Sequence, residues 1–153
     1  MFYYISGKLA LLDPGFAVVD AGGVGYRLTI TQTTYDAMPP RLTAEEAPTV
    51  RLYTYMAVRE DGVELFGFAT EEELSSFRLL ITVSGVGPKA AIAILSLLTP
   101  AKLALAICSD DKKTISRANG VGPKTAARIV LELKDKLKGA AFTADADGDT
   151  SGG

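Results

Sequence analysis

The residues best placed to do chemistry in this chain occur twice. Ser84-Gly-Val-Gly-Pro-Lys-Ala-Ala-Ile-Ala-Ile-Leu95 returns 35 positions later as Asn119-Gly-Val-Gly-Pro-Lys-Thr-Ala-Ala-Arg-Ile-Val130. In each copy Gly-Val-Gly permits a tight turn with φ > 0, and nothing bulkier than hydrogen obstructs a ligand approaching it. Proline follows at the first helical position, where its missing N–H costs nothing. The unpaired amides of the next turn and the positive end of the helix dipole then favour an anion over the glycines. Lys89 and Lys124 each add a full charge. The candidate anion-holding residues are Gly85, Val86, Gly87 and Lys89 in the first copy and Gly120, Val121, Gly122 and Lys124 in the second, with Thr125 and Arg128 following on the second helix.

Other chemistries have little to work with. No histidine and a single cysteine exclude nearly all imidazole bases, thiol nucleophile pairs and ordinary zinc sites. Carboxylates remain, and Glu132 and Asp135 stand at salt-bridge spacing with Lys136 and Lys138, a structural pattern on a charged helix face. We expect no catalytic residue, no metal ligand and no cofactor. Cys108 closes the apolar run Leu103-Ala-Leu-Ala-Ile-Cys108 and reads as a buried thiol.

The elements that must position the two copies follow from the hydrophobic period. At 153 residues and 48% hydrophobic, the chain holds one ordinary domain or two small ones. Up to about residue 69 it favours strands: Tyr3 to Leu12, Phe16 to Asp20, Val24 to Ile30, Val50 to Val58 and Val63 to Phe68. Thr31 to Met38 reads as a short helix with a hydroxyl cap, ended by Pro39-Pro40. Five short strands with a helix between the third and fourth suggest a small barrel of the OB type. From Thr70 the period is helical. Thr70-Glu-Glu-Glu73 caps a helix with the stripe Leu74, Phe77, Leu80 and Ile81, and helices follow over Pro88 to Leu97, Ala101 to Cys108, Asp111 to Ala118 and Pro123 to about Leu137. The expected fold is α+β in two domains: a five-stranded OB-type barrel over 1–69, an all-α domain over 70–139, and a flexible, acidic, Gly-rich tail over 140–153.

Charge is polarised along the chain although the net value is only -2. Residues 1–70 carry five basic and eight acidic side chains, whereas residues 112–138 carry eight basic and two acidic. A basic half built on glycine hairpins suits a polyanion such as nucleic acid. The N-terminus has no basic region ahead of an apolar core, and no apolar run approaches the roughly 20 residues that span a bilayer, so a soluble cytoplasmic protein is expected.

Helical context decides what the repeated glycines are for. A dinucleotide site or P-loop needs a strand before its glycines, and here helical sequence precedes both turns. The arrangement is that of two helix-hairpin-helix motifs, in which hairpin amides hold backbone phosphates without reading bases. Hairpins of this type sometimes hold a monovalent cation on backbone carbonyls, which side-chain identity does not reveal.

With Gly22-Gly-Val-Gly-Tyr26 in the barrel, Val58-Arg-Glu-Asp61 followed by Leu65-Phe-Gly-Phe68, the two hairpins, and Glu132-Leu-Lys-Asp-Lys-Leu-Lys-Gly139, the chain resembles the RuvA family over residues 1–142. These are bacterial Holliday-junction-binding subunits of the RuvAB branch-migration machinery, which serves recombination, DNA repair and the SOS response. The resemblance implies a non-catalytic homotetramer, single or doubled to an octamer, that holds an open four-way junction with each subunit's hairpins on one duplex arm. It implies the RuvB motor, which uses the ATP, and the RuvC resolvase as partners. Glu60 and Asp61 would form an acidic pin at the tetramer centre, and Arg59 beside them would hold a phosphate. Two departures stand out: the RuvB-contacting third domain would begin where this sequence turns acidic and Gly-rich, and Pro123 occupies a position where the family often has a lysine. A general duplex-binding helix-hairpin-helix repair protein is the alternative function.

Overall fold

A computed structural model describes residues 2–39 and 46–151. Its strands are β1 (Tyr4–Asp13), β2 (Phe16–Ala21), β3 (Val24–Ile30), β4 (Thr49–Arg59) and β5 (Gly62–Phe68), and they close a barrel in the order β1-β2-β3-β5-β4. All pairs are antiparallel except β3 with β5, which meet in parallel through Thr29↔Phe66 and Ile30↔Gly67. This is the OB-type barrel expected. Alternation explains its filling: Ala17 and Val19 on β2, Leu28 and Ile30 on β3, and Val50 and Leu52 on β4 point inward to join Ile5 and Leu9. Gly7 lets β1 approach β2 closely, since a Cβ there would lie 2.2 Å from the Asp20 carbonyl oxygen. The short helix α1 (Gln32–Ala37) begins where the Thr31 side chain accepts the Thr34 N–H. Pro40 lies outside the described residues.

The helices are α2 (Glu71–Ile81), α3 (Pro88–Leu97), α4 (Pro100–Cys108), α5 (Lys112–Ser116) and α6 (Pro123–Ser151). Side chains of Thr70, Thr99 and Asp111 cap α2, α4 and α5 by accepting the N–H three residues on. The stripe expected on α2 is buried at Leu74, Phe77 and Leu80, while Ala91 and Ala126 are fully buried where helices meet closely. Two expectations need correction. Cys108 is exposed, because α4 turns Leu103, Ala106 and Ile107 inward and residue 108 falls off that face. The helix expected to stop near Leu137 continues to Ser151, into the stretch over 140–153. The last two residues of that stretch lie outside the described residues. Among the described residues no single helix is long and apolar enough to cross a membrane.

Barrel and helices share a core. Phe66 and Phe68 from β5 belong to the same buried cluster as the helical interior, and Phe77 of α2 packs on both rings and on Tyr55, with centroids 4.9 to 5.3 Å away. Polar ties reinforce the contact. The Thr33 hydroxyl donates to the Leu95 carbonyl (2.6 Å), and the Gln32 N–H donates to Ser96 Oγ (3.0 Å). Glu73, only 2% exposed, accepts from the hydroxyls of Thr31 (2.6 Å) and Thr34. These partners satisfy a carboxylate that burial would otherwise penalise severely.

Glu73 gives the stability a pH dependence. Burial pushes its carboxyl above the ordinary glutamate range, against hydrogen bonds from Thr31, Thr34 and Ala69 that pull it down. The folded chain therefore holds this proton more readily than the unfolded one. The resulting stabilisation is complete below the ordinary glutamate range and is lost as pH rises through the raised value. Glu73→Gln keeps the shape and removes the titration, so its urea midpoint should decline less from acid to neutral pH than the parent's. Parallel curves for the two proteins would disprove the assignment.

Candidate nucleic-acid interface

The two glycine hairpins are near-copies in backbone geometry. In the first, the Val86 N–H donates to the Val83 carbonyl (3.0 Å) and the Ala91 N–H to the Gly87 carbonyl (3.0 Å). In the second, Val121 donates to Ala118 (3.1 Å) and Ala126 to Gly122 (2.9 Å). Gly85 takes φ +89° and Gly120 φ +81°, the left-handed region where a side chain is strained. Around Gly87 and Gly122 no heavy atom lies within 4 Å of an added Cβ, so both turns face open space.

These turns leave donors unmet. Gly87 begins α3 without a side-chain cap, unlike the threonine- and aspartate-capped helices. The first-turn amides of Lys89 and Ala90 have no intrahelical carbonyl within reach, and the Gly122-Pro123 start of α6 repeats the arrangement. Lys89 and Lys124 are exposed, and neither forms an ion pair among the described residues. Val86 and Val121 are each 5% exposed and their N–H groups close the turns, so they anchor the hairpins in the core. Thr125 is half-buried and Arg128 exposed on α6. The Arg128 guanidinium donates to the Ser84 carbonyl of the first hairpin at 3.3 Å. Lys136, at salt-bridge spacing with Glu132, instead donates to the Thr82 hydroxyl at 2.7 Å.

The acidic tip stands on the β4–β5 hairpin. Arg59 pairs with Gly62 at the end of the ladder, leaving Glu60 and Asp61 as the loop, with Gly62 at φ +150°. Both acids are exposed, as are Val58 (68%) and Val63 (62%) beneath them. Arg59 is already engaged: it donates to Glu64 at 2.8 Å and lies 3.7 Å from Asp61. Its hydrogen bond is the main cause that holds the Glu64 carboxyl below the ordinary range, and the Thr29 hydroxyl adds a second at 2.9 Å. Sequence reading missed Glu64. The signal was there in the hairpin register, since Ala57 opposes Glu64 and puts Arg59 on the adjacent diagonal of the same face. Arg59, Glu64 and Phe66 share a groove of about 480 Å³ with Gly87, Lys89 and Ile92, so the base of the tip opens directly onto the first hairpin.

Among the described residues no group of three His, Cys, Asp or Glu side chains could hold a metal ion. What the surface offers is amides and ammonium groups placed twice at open turns, a guanidinium at the first of them, and one acid-tipped hairpin. An OB-type barrel fused to paired helix-hairpin-helix units defines a tandem helix-hairpin-helix protein. Residues 1–67 match the family model described as the RuvA N terminal domain, and residues 77–135 match the SAM-like helix-hairpin-helix tandem. The chain is 45% identical over 152 residues to the Holliday junction branch migration complex subunit RuvA of Acetivibrio thermocellus, covering 99% of this chain and 73% of that one. It is 50% identical over 141 residues to the subunit of the same name from Desulforamulus reducens, covering 92% and 67%. The corresponding protein of Bacteroides fragilis is 41% identical over 152 residues, covering 99% and 73%. The chain belongs to the RuvA family.

Proposed function

We propose that this chain binds Holliday junctions as a scaffold of a branch-migration complex, holding duplex arms by their phosphates and keeping the crossover open. The observation that carries the reading is the hairpin geometry, twice repeated with open first-turn amides and exposed lysines that form no ion pair among the described residues, on a chain that also presents Glu60 and Asp61 at a hairpin tip. Contacts of this kind recognise backbone and not bases, so selectivity comes from shape and assembly. Four copies arranged around the acid-tipped hairpins would put eight carboxylates where strands exchange partners. The subunit is not catalytic by itself; strand movement is driven by a RuvB-type ATP-dependent motor, and RuvC resolves the product. The setting is the bacterial cytoplasm, in recombination and repair.

Light scattering with and without a synthetic four-way junction, run beside an equimolar competition with linear duplex, tests this directly. A homotetramer, or two enclosing the junction, with a marked preference for the junction is expected. A monomer that binds both DNAs equally would establish the general duplex-binding function in its place.

A further inference from the structure

The two hairpins match in backbone but not in surroundings. The 35-residue offset pairs Ser84 with Asn119, Ala90 with Thr125 and Ala93 with Arg128. From the second unit, Arg128 crosses to the first hairpin, where its terminal nitrogen meets the Ser84 carbonyl at 3.3 Å and lies 4.0 Å from the position of a Cβ on Gly85. The reciprocal crossing would run from position 93 to the second hairpin. Alanine stands there, and Ala93, Lys89, Asn119 and Gly120 help to line an opening of about 480 Å³. The internal symmetry is thus broken at one pair of side chains.

We propose that Arg128 makes the first hairpin the stronger of two phosphate grips, and that the opening beside Ala93 is the vacant twin of its position. This rests on the DNA-backbone reading above. A guanidinium carries five N–H donors in a rigid plane. One fixes the Ser84 carbonyl; the others are free to take a phosphate oxygen seated over Gly85 and Gly87, in a fork that an ammonium does not offer. The first hairpin then joins Arg128 to Lys89, whereas the second has Lys124 and the Thr125 hydroxyl. The two strands of one duplex arm are held unequally, and a moving arm releases first at the second hairpin.

Binding of linear duplex and of a four-way junction, measured across a salt series for wild type, Arg128→Ala, Arg128→Lys and Ala93→Arg, tests the asymmetry. Arg128→Ala is expected to lose about tenfold in affinity and to flatten the logarithmic salt slope by about 0.9 for each subunit engaged. Arg128→Lys should keep the slope but regain only part of the affinity, because an ammonium does not bridge carbonyl and phosphate in one plane. Ala93→Arg should bind about fivefold more tightly and with a steeper slope. A folded Ala93→Arg without that gain, or Arg128→Ala that binds like wild type, overturns the proposal. If Ala93→Arg does not fold, equal losses in Arg128→Ala and Arg128→Lys overturn it instead. A wild-type salt slope near zero would sink the DNA-backbone reading itself, so the two failures are distinct.

Discussion

Alanine at both Lys89 and Lys124 is expected to lower affinity for duplex and junction alike by at least about a hundredfold. Both lysines stand at open helix starts without an ion-pair partner among the described residues, so neither charge is neutralised before DNA arrives. A charge-assisted hydrogen bond contributes about 1.5 to 3 kcal/mol, and the exposed setting argues for the lower end, roughly tenfold per lysine. Every sequence should suffer equally because the contacts are to backbone. If the lysines of a tetramer neutralise ~8 phosphates, the salt slope should flatten by about 7 in the double variant, leaving only the share that Arg128 carries. Thermal stability should hardly move, since neither side chain supports the core. Titrations at several salt concentrations, with circular dichroism melts as a check on folding, give the answer. An unchanged slope would place the phosphate contacts elsewhere on the surface.

The second large effect concerns choice of substrate. Glu60→Lys combined with Asp61→Lys changes the tip of each subunit by four charge units, and a tetramer multiplies that by four. Individual interactions at about 10 Å in water are only ~0.4 kcal/mol, but many phosphates crowd a crossover and the terms share one sign. The doubly substituted protein should bind linear duplex about tenfold more tightly and the junction about as tightly as the parent, so its preference for junction over linear duplex drops by about that factor. Glu64 is left in place, so Arg59 keeps its 2.8 Å partner and the hairpin should stay folded. Should the preference survive, discrimination resides in the symmetry of the assembly and not in the acids.

Much of this site was legible because glycine and proline leave a local signature. Gly85 and Gly120 are needed for a positive φ, and Pro88 and Pro123 for a helix start, all within a few residues. Strands showed in their alternation, but the parallel β3–β5 pairing that closes the barrel joins residues far apart in sequence. Val86 and Val121 sat inside a binding motif, and only the packing shows them buried. Glu73 reads from sequence as one more first-turn acid; its burial depends on Thr31 and Thr34 arriving from the barrel. Arg59 looked like a free cation until the hairpin register set Glu64 beside it. Cys108 misled because an apolar run does not say which face of a helix turns inward. Local backbone demands were readable, then, while burial and pairing set by distant segments were not.

The shared core between barrel and helices has a mechanical meaning. Phe77 stacks against Phe66 and Phe68 of the very strand that rises to the acidic tip, and Glu73 fastens the same helix to Thr31 and Thr34. Interlocked aromatic rings and buried hydrogen bonds make such a joint resist bending. On the proposed function, torque from a rotating duplex arm enters at the hairpins and reaches the crossover through a stiff bracket, so that each step of the helix past the grips is geared directly to strand separation at the tip.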